Sequence, residues 1–407
     1  MNCRLCKSQN FYPFLDLGLQ PPSDQFRTND QINNPATFYP LEVNICEDCG
    51  FVQLGYVVPP EILYQDNYPY ESSTTQMGRK HYSDFSESVV ETFNLGETDL
   101  AVDIGSNVGV LLEGFKNQGL KVQGVDPAQN ICEIAERRGI PTLNTFFGES
   151  SAKQVFESHG PASVITGTNV FAHVDDLNAF MRAVKLLLKP KGGVFVIEAP
   201  HFLHLVESLE YDTIYHEHLS YISVEPLISF FREFEMEIIN IEEKDIHGGS
   251  IRIFVSNIGN YLIQDSVTNV LEAEKIAALR DKKTLDAFAL KVVDNKQKLQ
   301  LLLAKLKADG KRVVAVSAPA KGMTLLNYCK IDKETLDFVT EKSALKIGLN
   351  TPGGLIPVCS DDKLLEDAPD YALLLAWNFA TEIMNNNKEY IARGGKFIIP
   401  IPTPRII

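Results

Sequence analysis

From Leu100 onward the chain alternates between short apolar runs and amphipathic stretches. LAVDI, VGVLLEGFK, KVQGVD and ICEIAERRG follow one another with only brief polar breaks. Strand-length apolar runs separated by segments of helical period read as βαβα with parallel-sheet character. The pattern continues through SVITGT, the amphipathic helix DDLNAFMRAVKLLL, the turn KPKGG and the strand VFVIEAP. Gly and Pro in KPKGG stop the helix before that strand. EMEIINIEEKDI and GGSIRIFVSN read as late strands that complete a doubly wound sheet near residue 258.

A chain of 407 residues exceeds one ordinary core, since domains run to roughly 100–200 residues. Three parts are expected. Residues 1–66 form a small domain, rich in Pro, Asn and Gln, that looks loop-dominated and too polar to bury much. Residues 67–260 hold the parallel sheet, preceded by a polar loop and a helix ending before Gly96. Residues 261–407 begin with a charged helical stretch from about Asp265 to Asp309, which bridges two globular parts. After Gly310 a second βα unit, KRVVAVSAPAKGMTLLNYCKI, leads through short strands near Phe338 and Ile347 to the strands DYALLLAW and KFIIPIP. This is a second, smaller α/β domain.

The formal net charge is −15. Nucleic-acid binding relies on clustered Lys and Arg that displace counterions, so DNA and RNA are not expected partners. The start, MNCRLCKSQN, lacks the apolar run of a signal peptide, and no stretch of about 18 apolar residues marks a membrane span. A cytoplasmic location without membrane contact is therefore expected, and there cysteines are normally reduced. Four of the seven form two knuckles, Cys3-x2-Cys6 and Cys46-x2-Cys49. Four thiolates suit tetrahedral Zn²⁺, whose binding supplies folding energy that a small polar core lacks. Cys132, Cys329 and Cys359 stand alone in apolar contexts, as small core residues do.

In VDIGSNVGVLLEGF a strand runs into Asp103, then Gly105-x3-Gly109, then a helix. Glycine permits the tight turn and close approach of a ligand to the backbone. Asp126 closes the next strand, where a carboxylate can accept from ribose hydroxyls. A dinucleotide fingerprint would read GxGxxG, with a helix N-terminus facing the pyrophosphate. Here Ser106 and Asn107 occupy the middle, and DxGxxxG favours S-adenosylmethionine, which has no phosphate to cradle. Other nucleotide binders and plain turns share such loops. Asn169 and Val170, just past SVITGT, fall at the carboxyl edge where ligands of open α/β sheets bind.

Residues 211–223, YDTIYHEHLSYIS, place three tyrosines, two histidines, a glutamate and an aspartate in one short run that follows VFVIEAPH. His216, Glu217 and His218, or His201 and His204, offer metal ligands, but no third partner stands at a recognisable spacing. Acid–base chemistry is the second reading, because an imidazole can take a proton while a phenol orients it. On a helical turn Tyr215 and His218 share a face at i, i+3. The third reading is a buried hydrogen-bonded network without catalysis. The density of the run favours acid–base chemistry.

CxxC…CxxC, DxGxxxG, IYHEHLSYIS and APAKGMTLLNY together resemble the sugar C-methyltransferase family, over nearly the whole chain. Its members are S-adenosylmethionine-dependent enzymes that methylate nucleotide-linked 4-ketosugars. The resemblance implies a class I methyltransferase (Rossmann-like) central domain, a four-cysteine zinc domain before it and a second α/β Rossmann-like domain after it. A C4 ketone acidifies the hydrogen on C3, so a base can generate an enolate. The resemblance implies His218 as that base, Tyr215 beside it, and Glu217 and His216 in the same motif. Tyr70 and His173 match positions that line the sugar pocket, and Tyr70 or Tyr215 would steady the enolate oxygen. The C-terminal AKGMTLLN turn matches the module for the nucleotide half, with Lys321 at the diphosphate and Asn327 at the base or ribose; without a phosphate-loop signature, a structural turn is the equal alternative. The implied substrate is a nucleotide diphosphate 4-ketosugar of the 6-deoxy class methylated at C3. C5 also flanks the ketone and remains the rival carbon. An O- or N-methyltransferase, a non-catalytic zinc-containing binding protein and, last, a dehydrogenase are the competing readings.

Overall fold

The computed structural model describes residues 1–64, 72, 76–246 and 248–407. Strands β1 (Phe11–Gln20), β2 (Tyr39–Cys46) and β3 (Val52–Leu54) form an antiparallel sheet at the N-terminus. Leu15, Leu17, Leu41, Val43, Ile45, Val52 and Leu54 are buried beneath it. The loop-dominated region expected from composition is thus a sheet with a core face. Two effects hide it in the sequence. The β1–β2 register slips between Pro13 and Leu15 and again between Asp16 and Leu19, which breaks the simple alternation of apolar positions. The burying surface also comes from far along the chain: Phe14 packs its ring against Phe202 and Phe288.

The central sheet is built from β4 (Leu100–Ile104), β5 (Lys121–Asp126), β6 (Thr142–Asn144), β7 (Val164–Thr168) and β8 (Val194–Pro200), all parallel. A two-residue strand, β9 (Ser220–Tyr221), follows, and then β10 (Met236–Lys244) and β11 (Ser250–Asn257). The order is β10-β11-β8-β7-β4-β5-β6, with β11 antiparallel to both neighbours. β4 is buried along its whole length, as a strand covered by helices on both faces must be. The chain reverses direction across the sheet between β4 and β7. Ligands of doubly wound sheets bind at the carboxyl ends of such a pair.

β9 does not join this sheet. It pairs with β3, placing Tyr221 opposite Val52 and Ser220 opposite Gln53. The tyrosine–histidine run is therefore strapped onto the N-terminal sheet.

The charged stretch is two helices, Asp265–Ile276 and Lys282–Ala308, broken where Ala278 takes φ 51°. Leu285, Phe288, Leu299 and Leu303 of the long helix are buried in one cluster with Leu17 of β1 and with Leu325 and Leu336 of the C-terminal domain. That domain contains β12 (Val313–Val316), β13 (Val339–Glu341), β14 (Val358–Ser360), β15 (Tyr371–Leu374), β16 (Lys396–Ile399) and β17 (Arg405–Ile406). Their order is β14-β13-β12-β15-β16-β17, parallel except for β17. Ile347, expected near a strand, lies in a turn whose amide bonds back to the Ser343 carbonyl. Among the described residues no helix is long and apolar enough to cross a membrane.

Candidate active site

The loop after β4 carries three residues in the left-handed region: Gly105 at φ 63°, Asn107 at φ 49° and Gly109 at φ 78°. Only glycine fits the first and last. A Cβ on Gly105 would lie 2.5 Å from Val170 Cγ2, and one on Gly109 would lie 2.9 Å from the Ile140 side chain. Asp126, at the end of β5, accepts from the Asn107 amide at 2.9 Å and from the Ala128 amide at 2.9 Å. The Asn107 carboxamide oxygen accepts from the amides of Ser72 and Val108. Asp103, 4% exposed, accepts from Thr166 Oγ1 at 2.6 Å. Burial pushes its carboxyl up to about 7, against the Thr166 hydrogen bond and with help from nearby Asp126. Asn169 follows β7 with φ 56°, its amide donating to the Glu198 carbonyl at 2.7 Å.

These residues fit an adenosyl sulfonium ligand. Its ribose hydroxyls and amine are donors and its sulfur is cationic, which matches two carboxylates at adjacent strand ends. Thr168 Oγ1, at the end of β7, is buried with no hydrogen-bond partner among the described residues. Buried hydroxyls are rarely left so without a ligand or water to satisfy them.

Tyr215 to His218 form a single turn closed by the His218 amide on the Tyr215 carbonyl at 2.9 Å. The expected helical turn is thus an isolated turn after a 3-10 segment, Tyr211–Thr213, but the i, i+3 pairing survives. The Tyr215 and His218 rings lie 4.0 Å apart between centroids. His218 Nδ1 is 2.7 Å from the Thr213 carbonyl. A carbonyl only accepts, so Nδ1 carries the proton and Nε2 is the basic nitrogen of the neutral ring. The His173 ring stands 4.9 Å from that of His218. Burial, and then the neighbouring His218, hold His173 well below the usual imidazole range. Tyr64, which no sequence signal singled out, stacks on His173 with its hydroxyl 3.2 Å from Nδ1. Burial and Glu217 push the Tyr64 phenol well up, so it stays protonated.

His216 is 1% exposed, its Nε2 within 3.3 Å of the Tyr39 carbonyl, and anchors the run to β2. Lys321 bonds Asn378 and lies over the Trp377 ring at 4.8 Å. Burial lowers its pKa, opposed by the carboxyls of Asp212 and Glu210. Its ammonium therefore meets Asn378, Trp377 and the carboxyls of Asp212 and Glu210 within the chain. Asn327 donates to the Met323 carbonyl at 2.8 Å and the Pro352 carbonyl at 3.2 Å, which ties it to the loop at Gly353. Tyr70 lies outside the described residues. His201 Nε2 lies 2.8 Å from Glu274 Oε1. Among the described residues the one cluster placed to hold a metal ion is Cys3, Cys6, Cys46 and Cys49, whose sulfurs lie within 4.8 Å of one another. Cys3 and Cys49, and Cys6 and Cys46, stand 3.6 Å apart, near the edge of a tetrahedron with Zn–S bonds of about 2.3 Å. Lys7 and Gly50, each four residues beyond its knuckle's first cysteine, both take positive φ and bond back to that cysteine's carbonyl.

Three family models match the chain: a zinc binding domain over residues 3–64, a methyltransferase domain over 84–241 and a C-methyltransferase C-terminal domain over 245–402. C-methyltransferase NovU of Streptomyces niveus is 33% identical over 406 residues, covering 100% of this chain and 96% of NovU. The chain belongs to the C-methyltransferase family. A ubiquinone biosynthesis O-methyltransferase of Bartonella tribocorum is 31% identical over 96 residues, which is 23% of this chain and 39% of that enzyme. Among solved structures, an S-adenosylmethionine-dependent methyltransferase from Clostridium acetobutylicum ATCC 824 is 17% identical with a TM-score of 0.35, over 44% of this chain and 92% of that one. Magnesium protoporphyrin IX methyltransferase from Synechocystis PCC 6803 with bound SAH is 12% identical with a TM-score of 0.36, over 46% of this chain and 90% of that one. This C-methyltransferase uses S-adenosylmethionine, and its first domain is the zinc-binding one.

Proposed function

We propose that the enzyme methylates C3 of a nucleotide-linked 6-deoxy-4-ketosugar through an enolate. The observation that carries this is the hydrogen bond from His218 Nδ1 to the Thr213 carbonyl, which leaves Nε2 as a base in a half-buried site flanked by Tyr215 and His173. A carbon methyltransferase needs a carbon nucleophile, and a carbonyl next to that carbon provides one at modest basicity. His218 Nε2 takes the C3 proton, and the C–H electron pair moves into the C3–C4 bond while negative charge develops on the ketone oxygen. His173 is held neutral by its surroundings. A Tyr64 hydroxyl that donates to Nδ1 would place the His173 proton on Nε2, which has no partner among the described residues and could then donate to that oxygen together with the Tyr215 phenol. Burial first, and then Glu217, itself 3% exposed, keep the Tyr64 phenol protonated. S-adenosylmethionine supplies an electrophilic methyl group when bound. Asp103, Gly105, Asn107, Gly109, Asp126, Thr168 and Asn169 would hold it at the carboxyl edge, where Val170 and the His173 turn adjoin. Tyr70 keeps its proposed place in the sugar pocket from the resemblance alone.

The test is His218→Ala assayed on a panel of nucleotide 4-ketosugars. General-base removal is expected to lower turnover by about 10²–10⁴-fold. It should also abolish deuterium wash-in at C3 while leaving donor affinity unchanged by calorimetry. Full turnover in the variant overturns the enolate reading. A methyl found by NMR on C5, with wash-in there, moves the chemistry to the rival carbon.

A further inference from the structure

Arg4 stands inside the first cysteine knuckle, between Cys3 and Cys6, yet its side chain is committed elsewhere. It is 4% exposed. Nη1 donates to the carbonyls of Leu54 and Leu219, each at 3.2 Å, and Nε donates to Asp175 Oδ1 at 3.1 Å. The backbone of the same residue is fixed as well. Its N–H donates to Gln53 Oε1 at 2.9 Å, and its carbonyl accepts from Asn178 Nδ2 at 3.1 Å. Gln53 is fully buried and sits opposite Ser220 in the β3–β9 pair. The Leu219 carbonyl accepts a second bond, from the Leu54 amide at 2.9 Å.

The positions of these partners give the arrangement its meaning. Leu219 directly follows His218, and Asp175 lies two residues beyond His173. One guanidinium therefore joins the metal knuckle, β3, the segment of the base and the turn after β7. We infer that Arg4 is a positioning residue for methyl transfer: by holding Leu219 and Asp175 it fixes the placement of the His218 ring against that of His173. This rests on the reading of His218 as the base. A planar guanidinium can serve two carbonyls and a carboxylate at once, which a lysine ammonium at the same place cannot do in a fixed geometry. The Asp175 side chain is 62% exposed, so its ion pair adds little to stability and matters for direction instead.

The experiment uses the full-length zinc-loaded enzyme with Arg4→Lys, Arg4→Ala and Asp175→Ala. Zinc content and donor affinity are expected to stay within about twofold of the parent for Arg4→Lys. Its kcat should fall about 10- to 100-fold with little change in KM, the size of loss that a displacement of about 1 Å in a reacting group produces. In spectra of enzyme with labelled histidine side chains, the His218 signal, assigned against His218→Gln, should move away from the pattern of an Nδ1-protonated ring. Asp175→Ala should show a smaller change of the same kind. Guanidinium ion should restore part of the kcat of Arg4→Ala. A parental kcat and an unmoved His218 signal in Arg4→Lys overturn the inference. So does a kcat loss accompanied by lost zinc, because the effect is then one of folding. If His218→Gln itself turns over normally, the base assignment fails, whereas a dead His218→Gln beside a fully active Arg4→Lys removes the role of Arg4 alone.

Discussion

Single residues in this enzyme are set by how far they are removed from water. Asp103 shows the effect most directly. Its carboxyl ordinarily titrates at 3.8 and is pushed to about 7 in the fold by burial. Because the folded value is raised, its favourable contribution is complete below the unfolded value and is lost as pH rises from there through about 7. Asp103→Asn keeps an acceptor for Thr166 without the charge. In the donor-free protein it should therefore raise the melting temperature by an amount that grows between pH 4 and pH 8, at about 2–4 °C per kcal/mol. Calorimetric scans across that range check this; a gain that does not grow with pH contradicts it. The same substitution should weaken donor binding, since a cationic ligand would gain from the carboxylate. Glu198 is the opposite case. Burial acts to raise its pKa, but His81 at 2.6 Å and Arg252 at 2.8 Å outweigh it and hold the carboxyl low. Its contribution is present above the usual carboxylate range and lost as pH falls below it.

Among the elements, the loop between β4 and helix Val110–Asn117 is fixed by backbone conformation as much as by contacts. Gly105 combines positive φ with a neighbour 2.5 Å from any added Cβ. Gly105→Ala should therefore destabilise the enzyme by about 1–3 kcal/mol and reduce donor affinity together with it, measured by denaturant titration and calorimetry. An alanine variant with parental values for both would mean that Val170 yields freely. The sequence made this loop readable because a glycine pattern after a buried strand is a local signal. β1 and β2 were not readable, since their register slips and their partners Phe202 and Phe288 lie far along the chain. The turn at Tyr215–His218 was legible as an i, i+3 pair, although it closes one turn only.

Across the enzyme as a unit, the decisive feature is that the segment carrying His218, the proposed base, belongs to two sheets' surroundings at once. β9 pairs with β3, and β3 follows directly on the second cysteine knuckle. Structural zinc sites contribute folding energy outright. Removing the metal with a chelator, or replacing Cys46 with Ser, should melt the N-terminal sheet and abolish methyl transfer in step, while the donor site of the central sheet keeps its affinity. Zinc analysis, circular dichroism and calorimetry on the same samples check this. Full turnover by metal-free enzyme would show that β9 holds its place without the knuckles.

The buried parallel strands, the glycine loop, the four cysteine ligands and the one dense titratable run could all be read along the chain, because each is a local pattern whose meaning depends on spacing alone. Other features arose only on folding. That Tyr64 reaches His173, that Lys321 is held by Asn378, that Asn327 reaches the Pro352 carbonyl and that Arg4 ties a metal knuckle to Leu219 all depend on groups brought together across the fold, while the local backbone conformation that brings the Thr213 carbonyl to His218 Nδ1 decides which nitrogen of that ring is basic. A hydrogen bond between residues 215 positions apart leaves no mark on either one's neighbours in the chain.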